Sequence, residues 1–559
     1  MSEQAISEPA VVDAVGGTDP ATMPTGWELL SSVGLVLGQG AAVGRESSTL
    51  VAELIRIALG RSQVEPARGD RRFRDAAWQE NAVYRRVLQS YLAGCRAIDN
   101  LVDNADEDDW RRTEKARFLA GILTSATAPT NLLLGNPTAL KRALDTGGKS
   151  LVRGFGNWVH DLRTNQGMPS MATPGALKVG EDLAVTPGGV VSRDEVAELI
   201  QYLPTTPQVY ERPTLVVPPP IGRHYFLDLA PGRSLVEYTV SRGLQTFLVS
   251  WRNPTKDQSE WSIDTYAQRI LSAIDEVREV TGSEDVNLIG FCAGGILSTA
   301  VLNHLAAHGD KRVHTVSYAV TLLDFGVSAP IGAFSSAKVL SFAKWNSTRK
   351  GIIDAKSMGA AFTWMRPNDL VWNYWVNNYL LGQDPPVFDI LSWNADGTNL
   401  PARLHQQFLE IFATNPLVKP GAWTLLDTPF DASAIDVPKF VTGAVNDHLT
   451  PWRGTYRTTQ LMGGPSTYVL SDAGHIASLV NPPGNPKARY YSGERAGAVD
   501  ADTWRAGATE NTGSWWQPWA DWTIEYAGVE IAAPTKLGSQ VNPVLSPAPG
   551  LYVRDQLPS

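Results

Sequence analysis

Cysteine and long apolar runs are both scarce in this sequence. Its 559 residues include two cysteines, Cys95 and Cys292, which are too few for a disulfide framework and typical of a protein of the reducing cytoplasm. An apolar run of about 18 residues, the length that spans a bilayer, is lacking, so no transmembrane segment is expected. The first residues lack a basic stretch followed by an apolar one, so no secretory signal peptide is expected either.

Clustered positive charge and metal-binding patterns are also lacking. Lys and Arg number 48 and Asp and Glu number 57, for a net charge of −9, and no dense basic block occurs, which argues against a nucleic-acid partner. The sequence has no CxxC pair, no acidic loop with calcium-ligand spacing and no glycine-rich phosphate loop, so neither a metal nor a cofactor is expected. Apolar residues make up 43% and charged residues 19%, which excludes wholesale disorder.

The chain changes character near residue 185. Residues 1–26 are small and polar and are predicted to form a tail, whereas 27–185 carry apolar residues at helical spacing and are predicted to form a helical N-terminal domain. From 186 to 559, short β-branched runs alternate with helical segments, which predicts a parallel sheet covered on both faces. The stretch at about 326–435 interrupts this alternation with many Trp, Asn, Pro and Phe residues and is predicted to be a cap inserted into the sheet domain.

The apolar patterns also predict individual elements. Strands are predicted at 214–218, 245–251, 286–290, 313–323, 440–445 and 467–470. Helices are predicted at 78–97, 107–124, 137–162, 263–280, 293–308 and 453–463, with one more beginning near residue 47. The expected fold class is therefore α/β.

The most informative motif is a glycine-flanked cysteine between a predicted strand and a predicted helix. Residues 290–294 read Gly-Phe-Cys-Ala-Gly, the pattern of a nucleophile elbow with Cys292 in place of the usual serine. The turn is tight, so positions two before and two after the nucleophile need glycine, and the N-terminus of the following helix favours the thiolate. The backbone N–H of Ala293 is placed to donate to an oxyanion. The alternative is a buried structural cysteine in a glycine-rich turn.

Two polar residues follow the last predicted strands. Asp447 comes after the strand at 440–445 and His475 after the strand at 467–470, so both are expected at the carboxyl edge of the sheet, beside Cys292. The hypothesis is a triad in which Cys292 attacks, His475 takes its proton, and Asp447 orients and stabilises His475.

Other residues compete for these roles. Asp324 follows the predicted strand after the nucleophile, which is an alternative position for the acid, and Asp472 lies in the same segment as His475 and is expected to face it poorly. His448, beside the proposed acid, is either a second candidate base or a loop histidine held by hydrogen bonds. Cys95 lies in a predicted helix and is expected to be structural.

Distinctive short motifs extend beyond the triad, from about residue 66 to 553. They are Asp70-Arg-Arg-Phe73 with Trp78, Pro129-Thr-Asn131, Gly147-Gly-Lys-Ser-Leu151, Pro218-Pro-Pro-Ile221, Ser250-Trp-Arg-Asn-Pro254, Gly290-Phe-Cys-Ala-Gly-Gly295, Asn368-Asp-Leu-Val-Trp-Asn-Tyr374, Asp447-His448 with Pro451-Trp452, and Gly474-His475 with Asn481-Pro-Pro483. Together they resemble the motifs of the polyhydroxyalkanoate synthases, and an unrelated hydrolase would not share the set.

This resemblance implies an α/β-hydrolase fold with a cap insertion, a mostly helical N-terminal domain and a homodimer. The implied reaction polymerises (R)-3-hydroxyacyl-CoA and releases CoA, while Cys292 holds the growing polyester chain as a thioester and His475 activates the thiol. Asp447 would either support His475 or help to deprotonate the incoming 3-hydroxyl. The resemblance adds the backbone N–H of Ile221 as a second oxyanion donor.

The motifs resemble two different types of polyhydroxyalkanoate synthase. Four segments resemble the pseudomonad type, which takes medium-chain monomers: Trp372-Asn-Tyr-Trp-Val-Asn-Asn-Tyr-Leu-Leu-Gly382, Phe388-Asp-Ile-Leu391, Gly484-Asn-Pro-Lys-Ala-Arg489 and Ser514-Trp-Trp516. Phe291 instead resembles the short-chain type, so the preferred monomer length stays open. Phe291 and His448 are the candidate substrate-binding residues. The length of the chain argues against the types that need a second kind of subunit.

The resemblance also predicts a location and leaves two competing functions. It places the protein in the cytoplasm at the surface of polyhydroxyalkanoate granules, with granule-associated proteins as candidate partners. A cysteine hydrolase that releases free acid would use the same triad, and a granule-coat protein would have no activity. The motifs outside the triad argue against the first alternative, and the intact set of Cys, Asp and His argues against the second.

Overall fold

The computed structural model describes residues 40–104, 110–330, 332, 337–494 and 496–557. It contains two compact units. The first comprises the described residues up to Thr173 together with those of Pro330–Ala343 and Lys356–Val387, and the second comprises Pro174–Ala329, Lys344–Ala355 and the described residues from Phe388 onward. The predicted tail at 1–26 lies outside the described residues, and the predicted division into 27–185 and 186–559, with a cap at about 326–435, stays a prediction.

Helices occur in both units. The α-helices are Gly40–Ala58, Ala77–Glu80, Ala82–Asp103, Trp110–Ala126, Pro137–Asp145, Lys149–Thr164, Leu235–Ser241, Ile263–Thr281, Ala293–Ala307, Ala337–Lys350, Ala355–Trp364, Asp389–Ala395, Ala402–Thr414, Trp452–Leu461, His475–Leu479, Ala501–Gly507 and Trp516–Glu525. Two π-helical segments are Asn368–Trp372 and Trp375–Leu380. Short 3₁₀ turns are Arg71–Phe73, Pro129–Asn131, His224–Leu227, Lys256–Gln258, Pro416–Val418, Ala432–Ala434 and Tyr552–Arg554.

The first unit is helical where the sequence predicted helices, with two corrections. The single helix predicted at 78–97 is wrong, because Asn81 has an extended backbone and separates Ala77–Glu80 from Ala82–Asp103. The single helix predicted at 137–162 is wrong, because the chain ends one helix at Asp145 and begins another at Lys149. Gly147 and Gly148 between them have φ values of 57° and 84°, a left-handed conformation that interrupts an α-helix. Side-chain caps mark other helix starts, since the side chain of Asn136 accepts a hydrogen bond from the backbone N–H of Ala139.

Strands are numbered here in chain order. They are β1 Gly188–Arg193, β2 Ala197–Tyr202, β3 Gln208–Tyr210, β4 Thr214–Val217, β5 Thr246–Trp251, β6 Val286–Phe291, β7 Val313–Ala319, β8 Ile352–Ile353, β9 Leu400–Pro401, β10 Thr424–Leu425, β11 Thr428–Pro429, β12 Lys439–Ala444, β13 Ser466–Ser471, β14 Arg489–Ser492, β15 Thr509–Thr512, β16 Glu530–Ala532 and β17 Ser546–Pro547. Three small two-stranded sheets pair β8 with β9, β10 with β11, and β3 with β16.

The second unit is built on a large mixed sheet. Its order in the described part of the chain is β15-β14-β13-β12-β7-β6-β4-β5-β2-β1-β17. The six central strands of this order, β13, β12, β7, β6, β4 and β5, are parallel to one another. The register places Val217 of β4 beside Gly290 of β6. The strands outside this group pair antiparallel. The expectation of a parallel sheet is therefore correct for its centre and wrong for its edges.

The core of the second unit surrounds the central strands. Leu248, Ile289 and Phe440, from three of these strands, belong to one buried cluster that also contains Trp515 and Trp519. The parallel strands are buried along most of their length because both faces of the sheet are covered. Among the described residues, no helix combines the length and apolar character needed to cross a bilayer.

Candidate active site

The turn after β6 places Cys292 in a strained conformation. Cys292 has φ 49° and ψ −119° and immediately precedes the helix Ala293–Ala307. A Cβ atom at Gly290 would lie 2.6 Å from the Cα of Gly295, and one at Gly294 would collide with the carbonyl oxygen of Val217. These glycines therefore permit the close approach of strand, helix and neighbouring loop that the elbow requires.

Backbone hydrogen bonds hold the elbow in place. The N–H of Cys292 donates to the carbonyl of Ala319 on the neighbouring strand at 2.9 Å. The carbonyl of Cys292 accepts from the backbone N–H of Gly295 at 3.0 Å and from the hydroxyl of Thr321 at 3.1 Å. The cysteine side chain is consequently presented at the N-terminus of the helix Ala293–Ala307.

The structure brings together the three side chains of the predicted triad. Asp447 lies in the loop after β12, and His475 begins the helix His475–Leu479 after β13. Nδ1 of His475 donates to Oδ2 of Asp447 at 2.7 Å, and both side chains are buried. The sulfur of Cys292 lies near enough to His475 to favour the charged form of its ring. Since Nδ1 is taken by Asp447, Nε2 is the ring nitrogen left for the sulfur.

A further residue, Thr450, completes the environment of the acid. Its hydroxyl donates to Oδ2 of Asp447 at 2.7 Å and lies 3.3 Å from Nδ1 of His475. Oδ1 of Asp447 accepts from the backbone N–H groups of Leu449 and Thr450, both at 2.8 Å. Sequence reasoning missed Thr450, although a threonine placed shortly after a candidate acid is a typical Asx-turn partner that could have indicated it.

The charges of the pair are strongly coupled. Burial by itself lowers the pKa of His475, but the charge of Asp447, its hydrogen bond and the nearby sulfur of Cys292 together raise that pKa to about 10. Burial raises the pKa of Asp447, yet the charge of His475 and the hydrogen bonds from His475 and Thr450 hold it below its usual value. The geometry thus favours an imidazolium beside the sulfur.

One predicted oxyanion donor, Ala293, lies next to the elbow, and the loop that carries the other, Ile221, approaches the elbow at Pro218. Ala293 is the first residue of the helix after Cys292. Ile221 lies in the loop after β4, and a Cβ at Gly294 would contact the carbonyl oxygen of Pro218 in this loop at 2.8 Å. The loop and the first turn of the helix are therefore in contact, which is the arrangement that two converging N–H donors need.

The predicted substrate-binding residues flank the triad in the chain. The side chain of Phe291, at the end of β6, is fully buried, and its ring centroid lies 6.1 Å from that of Phe226. His448 follows Asp447 directly and is partly buried. Their roles in binding substrate stay predictions.

The competing acids have other partners. Oδ1 of Asp324 accepts from the side-chain amide of Asn415 and the N–H of Gly326, both at 2.8 Å, and Oδ2 accepts from Nε of Arg457 at 3.1 Å. Asp472 lies just after β13, where its backbone N–H donates to the carbonyl of Arg489. Of the three candidates, Asp447 is the carboxylate with a hydrogen bond to His475.

Comparison with known proteins provides the wider context. Residues 69–239 match the family described as poly-beta-hydroxybutyrate polymerase (PhaC) N-terminus, and residues 228–482 match the alpha/beta hydrolase fold, which confirms the predicted fold class. The chain is 44% identical over 534 residues to poly(3-hydroxyalkanoate) polymerase 1 of Ectopseudomonas oleovorans, covering 95% of each protein. It is 43% identical over 505 residues to polymerase 2 of that species, covering 90% of each. It is 37% identical over 507 residues to the poly(3-hydroxyalkanoate) polymerase subunit PhaC of Cupriavidus necator, covering 89% of this chain and 85% of that protein.

Proposed function

The chain belongs to the poly(3-hydroxyalkanoate) polymerase family of acyltransferases, and from this premise we propose that it polymerises (R)-3-hydroxyacyl-CoA, with release of CoA, through a thioester on Cys292. The observation that carries the proposal is the hydrogen-bonded pair of His475 and Asp447 beside Cys292 at a nucleophile elbow. A thiolate exchanges with a thioester at little thermodynamic cost, so a cysteine suits an acyl donor that is itself a thioester.

In the first step, the sulfur of Cys292 attacks the thioester carbonyl of the substrate. The bond between the carbonyl carbon and the CoA sulfur breaks, the acyl group is transferred to Cys292, and His475 supplies the proton that CoA takes as a thiol. The N–H groups of Ala293 and Ile221 stabilise the oxyanion of the tetrahedral intermediate. In comparable sites the loss of one such donor slows the reaction by about 10²-fold to 10³-fold.

In the second step, the 3-hydroxyl of an incoming 3-hydroxyacyl-CoA attacks the thioester on Cys292, His475 takes the hydroxyl proton, and the bond between the carbonyl carbon and the Cys292 sulfur breaks. The product is an oxoester one unit longer that ends in a CoA thioester, and repetition of the first step returns this chain to Cys292 and releases CoA. Water would give free acid at this stage, so the site must exclude it. Cys292, Trp393 and Ile476 pack against the same buried apolar cluster that contains Phe226 and Phe291, which supports a dry environment for the acyl group.

The partners of Asp447 support one of its two candidate roles. One carboxylate oxygen accepts two backbone N–H groups, and the other accepts from Thr450 and His475. Its side chain is also completely buried. A carboxylate with these partners is suited to orient His475 and stabilise its charge, and we therefore propose this role over direct deprotonation of the 3-hydroxyl.

The proposal extends to assembly and location. We propose a homodimer that works in the cytoplasm at the surface of a polyhydroxyalkanoate granule, where granule-associated proteins are candidate neighbours. A growing polyester chain that stays bound to Cys292 as a thioester would hold the enzyme at the surface of its insoluble product. Measuring the mass of the protein in solution before and after substrate addition, together with its sedimentation with the polymer, tests both parts.

The decisive experiment measures CoA release by the purified chain and weighs the insoluble product. We expect CoA and polymer in the wild type and neither in Cys292→Ala, while Cys95→Ala, which removes the other cysteine, keeps both. CoA with free hydroxy acid and no polymer would instead establish the hydrolase alternative. No CoA release from the wild type would support the inactive granule-coat alternative.

The same assay addresses monomer length. Reactions with 3-hydroxybutyryl-CoA and 3-hydroxyoctanoyl-CoA are compared for the wild type and Phe291→Ala. If Phe291 shapes the acyl site, the ratio of the two rates changes in the variant. An unchanged ratio would remove Phe291 from the specificity determinants.

A further inference from the structure

The loop that carries Ile221 is held by two segments distant in sequence. This oxyanion loop, residues 220–223, joins β4 to the 3₁₀ turn His224–Leu227. One segment that contacts it lies at 393–398 and the other at 551–555, so its conformation depends on parts of the chain that follow the nucleophile by about a hundred residues or more.

Thr398 and Trp393 bind the backbone of the oxyanion loop. The hydroxyl of Thr398 accepts from the N–H of Gly222 at 2.7 Å and donates to the carbonyl of Pro220 at 3.3 Å, so it bridges the residues on either side of Ile221. Nε1 of Trp393 donates to the carbonyl of Arg223 at 2.8 Å. Gly222 has φ 91°, and a Cβ there would lie 3.1 Å from the Trp393 ring.

Arg223 connects the loop to the second segment. Its side chain is 4% exposed and makes two parallel hydrogen bonds to Asp555, at 3.0 and 2.6 Å. It also donates to the carbonyl of Tyr552 at 3.2 Å and to Asp396 at 3.3 Å. Such a two-pronged arginine–carboxylate pair has a defined geometry and limits the positions that its backbone can take.

The segment that receives Arg223 is itself fixed. The backbone N–H groups of Leu551 and Tyr552 donate to the carboxylate of Glu198, which is fully buried in β2. Arg223 therefore connects the oxyanion loop to the central sheet through the buried contacts of Tyr552 with Arg223 and Glu198, while its other partner, Asp555, is half exposed.

From these contacts we propose that Thr398 and Arg223 are positioning residues that set the Ile221 N–H for oxyanion stabilisation. This inference rests on the proposed function. The expected consequence is selective, because acyl transfer passes through an oxyanion whereas alkylation of a thiolate by iodoacetamide does not. Displacement of such a donor by about 1 Å is enough to cost about 10²-fold in rate.

The test compares two reactions of the same cysteine. The first is the single-turnover burst of CoA from 3-hydroxybutyryl-CoA. The second is alkylation of Cys292 by iodoacetamide, measured from the mass of the peptide that contains this cysteine. Thr398→Val and Arg223→Lys should slow the burst by about 10-fold to 10²-fold, lower kcat with KM within about 3-fold, and leave the alkylation rate unchanged. Thr398→Ser, which keeps the hydroxyl, should restore the burst.

Asp521→Asn is the matched control, since it breaks another arginine–aspartate pair, with Arg242, away from the loop. It should leave both reactions at the wild-type rate. A normal burst in Thr398→Val and Arg223→Lys, or a parallel fall of burst and alkylation, would overturn the inference while leaving the proposed function intact. Absence of a burst in the wild type with both 3-hydroxybutyryl-CoA and 3-hydroxyoctanoyl-CoA would overturn the proposed function and this inference with it.

Discussion

Asp324 and Asp447 follow neighbouring parallel strands, β7 and β12, yet their side chains have different partners. Asp324 binds Asn415, the N–H of Gly326 and Arg457, whereas Asp447 binds Thr450, two backbone N–H groups and His475. Burial opposes ionisation of both, and the hydrogen bonds and nearby charge hold the pKa of both below the usual value.

The difference teaches that a low pKa at the end of a strand does not identify a catalytic acid. Arg457 carries a permanent charge and cannot exchange a proton at ordinary pH, so its pairing with Asp324 stabilises structure. His475 can exchange a proton, so its pairing with Asp447 can support chemistry at Cys292. The identity of the partner separates the two sites.

The largest expected effect comes from removing the proton-exchanging partner. His475→Gln should lower CoA release by about 10⁴-fold or more, because Cys292 loses both its base and the adjacent positive charge. His448→Gln tests the competing base and should retain far more turnover than His475→Gln, whether or not His448 contacts substrate. Steady-state CoA release measures both, and the reverse pattern would transfer the role of base to His448.

Asp447→Asn should have the next largest effect. The amide cannot stabilise the charged His475 and would favour the wrong tautomer, so acyl-enzyme formation should slow by about 10³-fold to 10⁴-fold. The single-turnover CoA burst measures this step. A normal burst followed by failed elongation would contradict the orienting role and favour a role in activating the 3-hydroxyl.

The pH dependence of stability should also report the charge coupling between His475 and Asp447. The folded pKa of His475, about 10, exceeds the unfolded value of about 6.5, so its stabilisation is complete below about pH 6.5 and is lost as pH rises through about 10. The lowered pKa of Asp447 acts oppositely, because its stabilisation is complete above about pH 3.9 and is lost as pH falls through the folded value.

The difference in Tm between wild type and Asp447→Asn should therefore be greatest between about pH 4 and 6.5 and shrink toward pH 10. Thermal unfolding of both proteins across this range measures the difference. A difference that does not change with pH would show that the coupled charges contribute nothing to stability.

The smallest effect on turnover is expected from a substitution at Asp324. Asp324→Asn should keep CoA release within about 3-fold while it lowers the free energy of unfolding by about 1–2 kcal/mol, since charge-assisted hydrogen bonds to Asn415 and Arg457 are weakened. CoA release and denaturant unfolding measure the two quantities. A loss of turnover comparable to that of Asp447→Asn would remove the distinction between the two strand ends.

The centre of the site could be predicted from sequence because its determinants are local. The β6 strand, the glycines around Cys292 and the helix after it are adjacent in the chain, and Asp447 and His475 each follow an apolar strand directly. The carboxyl ends of parallel strands share one edge of a sheet, so adjacency to a strand was sufficient to place all three residues there.

The edges of the sheet and the support of the oxyanion loop could not be predicted in the same way. Strand β2 contains the buried Glu198, and β14 and β15 are largely polar, so apolar periodicity did not mark them as strands. The Arg223–Asp555 pair joins residues more than three hundred positions apart, and no local pattern reports such a contact.

The left-handed backbone of Cys292 has a consequence for laboratory evolution. A residue with φ 49° and ψ −119° is in a region that glycine adopts far more easily, at an expense of about 1–3 kcal/mol for other residues. Replacement of Cys292 by glycine would relieve that strain and abolish the nucleophile. A selection for heat resistance alone would therefore reward loss of the cysteine, and each round of such a selection needs a simultaneous screen for polymer.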